Sequence, residues 1–296
     1  MSIAAILLPD FILIMIGFVL MRVTDWGTAF WTGLEKLVYY VLFPALLFYA
    51  TSRAPLDFKT TGKLLQVALG ALLCGIVLGW LAKPLFRPGP MIFESGVQTA
   101  FRFNSYIALA VASRLGGDQG TSLMALIIGF AVPICNMAAV HALVHKSGGL
   151  LKELAKNPLL IATVCGILFN VAGLRVPEVI GATLSRMGNA SLAPGLILVG
   201  AGLRLSGQHE AKGIVAYFLT VKLLLLPAIA YGLGRWAGLP TLQLQIAVMF
   251  CALPTASSAY VLAARMGGNG PLVAFLISAS TVLSVATLSF WLLLTS

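Results

Sequence analysis

The sequence predicts an all-α polytopic membrane protein: ten transmembrane helices in two inverted five-helix repeats, with helices 4 and 9 broken. Three observations predict it. Of 296 residues, 59% are hydrophobic and only 9% charged, and the mean hydropathy is +0.99. A soluble domain carries about 25% charged residues, so this chain cannot coat a globule with a wet surface. Its apolar residues also come in long unbroken runs. A transmembrane barrel would show short alternating segments instead. Finally, the two halves of the chain resemble each other at an offset of about 150 residues.

A hydrocarbon core about 30 Å thick needs about 20 apolar residues per helix. Runs of that kind place spans at 3–21, 34–52, 62–82, 91–115, 121–144, 157–174, 187–205, 212–234, 241–266 and 271–295. Little sequence remains between them, so no soluble domain is expected. The first run lacks a basic leader and a small-residue cleavage site and reads as a retained helix, not a signal peptide. Residues 1–146 form the first repeat, 147–156 a cytosolic linker and 157–296 the second repeat. The linker region "HKSGGLLKELAKNP" carries three lysines (Lys146, Lys152, Lys156). By the bias of basic residues toward the cytosol it lies inside, with both termini outside. The formal charge of +10 is explained by the same scatter of loop cations. There is no basic stripe interleaved with aromatics, so no nucleic-acid partner is expected. Cys74, Cys135, Cys165 and Cys251 all fall inside spans without metal-ligand spacing and read as small buried hydrophobes. No metal and no cofactor is implied.

The repeat is visible in matched stretches. "ASRLGGDQG" (112–120) pairs with "AARMGGNG" (263–270), Pro44 with Pro194, and Pro9 and Gly17 with Pro158 and Gly166. Five spans is an odd number, so the second half enters the membrane from the opposite side. The halves are then related by a pseudo-two-fold axis in the membrane plane, an organisation shared by many secondary transporters. With the glycine pairs aligned, Phe103 falls opposite Pro254 and Asn104 opposite Thr255. Pro254 lacks an N–H. Irregular backbone at membrane depth survives only under protein or around a water-filled cavity. Pro254 alone reads either as a plain kink or as a break, and span 4 has no proline, so its break follows from the repeat and its polar residues; matched interruptions in the two spans would mark a midplane binding site.

The site residues follow from "TAFRFNSYIALAV" (99–111), where Arg102 and Asn104 sit inside an apolar run. A guanidinium offers a planar fork that fits a carboxylate. Gln98, four residues before Arg102, shares its face. Pro254, Thr255, Ser257 and Ser258 face these from span 9. Arg102 reads either as a ligand or as a strut that pairs with Glu94 or caps carbonyls at the break. Lys222, mid-way along span 8, is the other cation that no loop accounts for. It is part of an anion site, a structural ion pair or a snorkelled side chain. Glu94 and Asp10 are either coupling groups or first-turn acids favoured by the helix dipole. His141 either titrates in the working range or is an interfacial polar residue, and Asn136 and Pro133 shape the same span. Helices 2 and 7, with Pro44 and Pro194 and few polar partners, read as a wall from which Leu46, Leu47 and Leu196 contact an apolar part of the substrate. No catalytic constellation is present: the sequence has no HExxH, no G-x-S-x-G and no Walker lysine loop, so an enzyme is not expected.

The stretches "FESGVQTAFRFNSYIALAVASRLGG", "CALPTASSAYVLAARMGGN" and "YYVLFPALLFYATSR" resemble bacterial members of the auxin efflux carrier family, over essentially the whole chain. The resemblance implies a scaffold of helices 1, 2, 6 and 7 and a transport bundle of helices 3–5 and 8–10. In that bundle the broken helices 4 and 9 cross. It further implies a permease of the bacterial inner membrane, with an organic anion as substrate: a carboxylate such as malonate or malate, or an auxin-like acid. Alternating access and a scaffold-mediated homodimer are part of the same expectation. The family's crossover asparagine maps onto Asn104, but the matching position in span 9 is Thr255. The long cytosolic loop of plant members is missing, and with it their phosphorylation control. The other readings are a sodium- or proton-coupled carrier of a neutral or cationic solute and, further off, a membrane sensor or enzyme. The first would call for intramembrane Asp or Glu at the crossover; the second for a catalytic cluster or an output domain.

Overall fold

A computed structural model describes residues 3–53, 58–143, 158–203, 212–256, 258–265 and 267–296. Within them every regular element is a helix. In chain order these are α1 (Ile3–Val23), α2 (Gly27–Arg53), α3 (Phe58–Phe86), α4 (Pro90–Gly96), α5 (Ser105–Leu143), α6 (Pro158–Val171), α7 (Glu178–Ala201), α8 (Lys212–Trp236), α9 (Thr241–Ala252), α10 (Ser258–Arg265) and α11 (Gly270–Thr295). A 3₁₀ turn, Val97–Ala100, extends α4. Among the described residues five stretches are long and apolar enough to cross a membrane: Gly27–Arg53, Thr61–Phe86, Pro90–Leu143, Lys212–Trp236 and Gly270–Thr295. The chain is a helical membrane protein, as its hydropathy requires.

Helix ends run past the expected span edges. The span expected at 187–205 starts at Glu178, and that expected at 34–52 starts at Gly27. Hydropathy marks the apolar part of a run, while the backbone is already helical through the more polar residues before it, here Glu178, Ser185 and Arg186. The run Pro90–Leu143 is divided by glycine. Gly116 (φ −140°, ψ 17°) and Gly117 (φ 54°, ψ −136°) leave helical geometry inside α5. Gly267, first of the other "GG" pair, has φ +73°. The left-handed region is open to glycine without steric cost, which is why the "GG" pair recurs.

Two helices contain a widened π turn that the sequence reading did not anticipate: Val38–Leu42 in α2 and Val221–Leu225 in α8. Each lies just before a proline, Pro44 and Pro227. A proline inside a helix lacks an N–H and crowds the carbonyl four residues back. Opening the preceding turn relieves that crowding. In α8 the carbonyl left over is that of Leu223, and the Trp291 indole Nε1 donates to it at 3.0 Å.

The described helices fall into two compact units. One takes in Met1–Phe58, Leu109–Phe130 and Gly149–Gly202; here α1 packs on α7 and α2 on α6. Glycines let the backbones touch: a methyl group at Gly17 would come within 2.0 Å of the Ile197 carbonyl oxygen, and one at Gly166 within 2.9 Å of the Phe48 carbonyl oxygen. Close backbone approach through small residues is how helices associate without a hydrophobic driving force in lipid. Leu46 lies on Gly188, and Leu47 and Leu196 are buried. The other unit comprises Lys59–Ala108, Ala131–Gly148 and Leu203–Ser296. It holds both interrupted helices. Of the cysteines, Cys135 and Cys251 are buried, but Cys74 and Cys165 are exposed. Hydrocarbon accepts a thiol as readily as a packed core does, so hydropathy could not tell these positions apart.

Candidate functional site

The backbone leaves helical geometry at 101–104 and again at 253–256, and the two interruptions touch. The Asn104 amide donates to the Pro254 carbonyl at 2.8 Å, and the Thr255 hydroxyl donates to the Thr99 carbonyl at 2.8 Å. Phe103 stacks edge-on against Phe250, with ring centroids 4.7 Å apart. Each strand of irregular backbone thus supplies hydrogen bonds that the other lacks, as buried backbone in an apolar setting must.

Asn104 opens α5. Its Oδ1 accepts from the amides of Tyr106 (2.9 Å) and Ile107 (3.3 Å), the arrangement of a helix N-cap. The side chain is 2% exposed, and among the described residues its Nδ2 has no hydrogen-bond partner. The cap fixes the oxygen on the helix side, so the amide nitrogen is left as a donor pointing elsewhere. Arg102 is also buried. Its guanidinium donates to Ser258 Oγ at 2.9 Å and to Asn136 Oδ1 at 2.6 Å, joining α5 and α10 around the break. Gln98 is fully buried; its Nε2 donates to the carbonyls of Ser95 (3.2 Å) and Ala259 (3.3 Å), and its Oε1 has no partner among the described residues.

On the other side, the Thr255 amide takes the hydroxyl of Ser280 as acceptor at 3.2 Å. Lys222 is 2% exposed, and its ammonium donates to the Cys251 carbonyl at 3.1 Å. The Cys135 thiol lies 3.7 Å from the Phe101 carbonyl. A further anchor joins α4 to the α10–α11 turn: Ser95 Oγ accepts from the Asn269 amide at 2.7 Å. Asn269 in turn caps α11 through Leu272, at 3.0 Å.

Of the residues singled out from sequence, Gln98, Arg102, Asn104, Pro254, Thr255 and Ser258 come together here. Ser257 lies outside the described residues. Glu94 is half-buried in α4, two turns upstream of Arg102. Asp10 belongs to α1, in the other unit, and its side chain lies outside the described residues. His141 is exposed near the end of α5 and stacks on Trp80, centroids 5.6 Å apart. Thr99, Cys135 and Ser280 were missed. Thr99 enters through its backbone carbonyl, its hydroxyl bonding Gly96, and Ser280 accepts from the Thr255 amide while donating to its own helix at Ile277; side-chain spacing along the sequence marks none of these.

The cluster is rich in donors and cations. Arg102 and Lys222 are both buried in it, and the N-terminal end of α5, with its partial positive charge, opens into it. Among the described residues no group of His, Cys, Asp and Glu could hold a metal ion.

A family model described as membrane transport protein matches residues 142–292, just over half of the chain. A "Putative malonate transporter" of Rhizobium meliloti is 24% identical over 97% of this chain and 94% of its own length. An "Uncharacterized transporter" of Methanothermobacter thermautotrophicus is 25% identical over 95% of this chain and 94% of its own. The "Uncharacterized transporter YfdV" of Escherichia coli is 25% identical over 88% of this chain and 87% of its own.

Proposed function

Since the chain belongs to the membrane transport protein family, that of the auxin efflux carriers, and is a transporter and not an enzyme, we propose that it carries small organic anions by alternating access. The substrate is a carboxylate of the malonate or malate kind. The observation that carries this reading is Asn104: an amide donor buried at the start of a helix, with no partner among the described residues, beside the buried guanidinium of Arg102. A buried donor without a partner costs about 1–3 kcal/mol. A carboxylate oxygen relieves that cost when it binds. The name borne by the Rhizobium meliloti relative supports a dicarboxylate.

Ten spans in two inverted repeats are the frame of this proposal. Its support is reciprocal packing. Gly17 and Gly166, matched by the repeat, each seat their helix on a span of the opposite half, at Ile197 and at Phe48. In this frame helices 1, 2, 6 and 7 are the scaffold, helices 3–5 and 8–10 the moving bundle, and the protein a homodimer in the bacterial inner membrane.

The test is uptake of labelled malonate and malate into proteoliposomes, with Asn104→Asp and Asn104→Ala beside the wild type. Aspartate keeps the cap oxygen but removes the donor and adds like charge, so Asn104→Asp should fold and fail to transport. Uptake by Asn104→Asp at the wild-type rate would exclude Asn104 as a substrate ligand.

A further inference from the structure

Lys222 is a buried cation of the crossover cluster whose part, beyond its charge, the proposed transport cycle has not yet specified. Two half-helices run into the crossover carbonyl-end first, α4 with its 3₁₀ turn and α9. Such ends carry unbonded carbonyls and partial negative charge. The first is closed by neutral donors: Thr255 Oγ1 on Thr99 O at 2.8 Å and Cys135 Sγ on Phe101 O at 3.7 Å. The second cannot be closed in the same way. Pro254 has no amide to offer the Phe250 carbonyl, and the Thr255 amide, which would serve Cys251 in a continuous helix, is turned to Ser280. The Cys251 carbonyl receives the Lys222 ammonium instead, at 3.1 Å. The π turn Val221–Leu225 holds the lysine, and Trp291 secures that turn through the Leu223 carbonyl. Among the described residues no carboxylate pairs with Lys222.

We propose that Lys222 is a positioning residue for transport: a tethered monovalent cation seated at the carbonyl end of α9, where a free inorganic cation would otherwise have to bind to hold the span 9 interruption in shape. A carbonyl oxygen at a helix C-terminus is a hard ligand that takes an ammonium or a small metal cation on the same electrostatic ground. With the cation built into the chain, carboxylate uptake needs no sodium at this position. The inference rests on the carrier reading above.

The experiment measures initial malonate uptake into proteoliposomes in sodium, lithium, potassium or N-methylglucamine chloride at equal ionic strength, for the wild type, Lys222→Gln and Lys222→Arg. Wild-type rates should be equal in all four media. Lys222→Gln should be slower by about tenfold in N-methylglucamine, the scale of losing a hydrogen bond to a charged group, and sodium or lithium should restore roughly threefold or more of that loss. Lys222→Arg, which keeps the charge, should stay indifferent to the cation. A wild type that requires sodium or lithium overturns the inference, whether or not the variants fold. So does Lys222→Gln that matches the wild type, or that is equally slow in every medium. A wild type that takes up no carboxylate in any medium defeats the carrier reading instead. The inference is then read from thermal unfolding in detergent: sodium or lithium should raise the Tm of Lys222→Gln over its value in N-methylglucamine and leave that of the wild type unchanged, and equal Tm values in all media overturn it.

Discussion

The two interruptions, at 101–104 and at 253–256, are built differently. In span 4 the chain after the break restarts on Asn104, whose oxygen caps α5 and whose nitrogen has no partner among the described residues. In span 9 the matched residue is Thr255, whose hydroxyl is committed to the Thr99 carbonyl and whose amide is committed to Ser280. The carbonyl ends differ as well, neutral donors closing one and an ammonium the other. The two breaks thus make different use of their polar groups. Span 4 carries a buried polar atom without a partner among the described residues, the one the carrier proposal gives to the ligand. Span 9 supplies bonds that hold the break open.

The sharpest way to break this comparison is to exchange the chemistry at position 104. Asn104→Asp should lower malonate uptake by on the order of a hundredfold, through loss of one charge-assisted hydrogen bond and gain of repulsion. Its thermal unfolding should stay close to wild type because the cap survives. Arg102→Lys comes next. A lysine cannot span Ser258 and Asn136 with a fork, so uptake should fall by about tenfold. A double-mutant cycle with Asn136→Ala should reveal coupling of about 1 kcal/mol in thermal or denaturant stability. Asn104→Ala adds a folding cost of about 1 kcal/mol for the lost cap, seen as a Tm below that of Asn104→Asp. The smallest effect belongs to span 9. Thr255→Val should cost about 1 kcal/mol of stability for one buried hydrogen bond and leave the KM for malonate unchanged, whereas Thr255→Ser should restore stability. A raised KM in Thr255→Val with unchanged stability would make Thr255 a substrate ligand and erase the difference between the two breaks.

Much of this was legible in the chain. Hydropathy alone required a helical membrane protein, because so few charged residues leave no other solvent. The repeat pointed to Phe103–Asn104 and Pro254–Thr255 as partners, and their backbones are hydrogen-bonded. Pattern could not say which of several hydroxyls and amides reach across. Ser280 bonds its own helix at Ile277 just as Ser278 and Thr281 bond theirs; only its additional acceptance of the Thr255 amide distinguishes it, and no sequence signal shows that. The π turns were hidden for a related reason: proline announces a disturbed helix, but whether the turn before it kinks or widens depends on neighbours such as Trp291.

The sequence by itself determined the solvent, the class of fold and the place of the interruptions, because each of these follows from composition or from internal repetition along the chain. The tertiary structure decided what the polar residues do there. It made Asn104 both a cap and a spare donor, turned Thr255 into a strut, and set Lys222 against an open carbonyl. The reason is physical: whether a buried polar atom is satisfied depends on what the fold brings within about 3 Å of it, and in this protein the partners come from residues as far apart as Arg102 and Ser258.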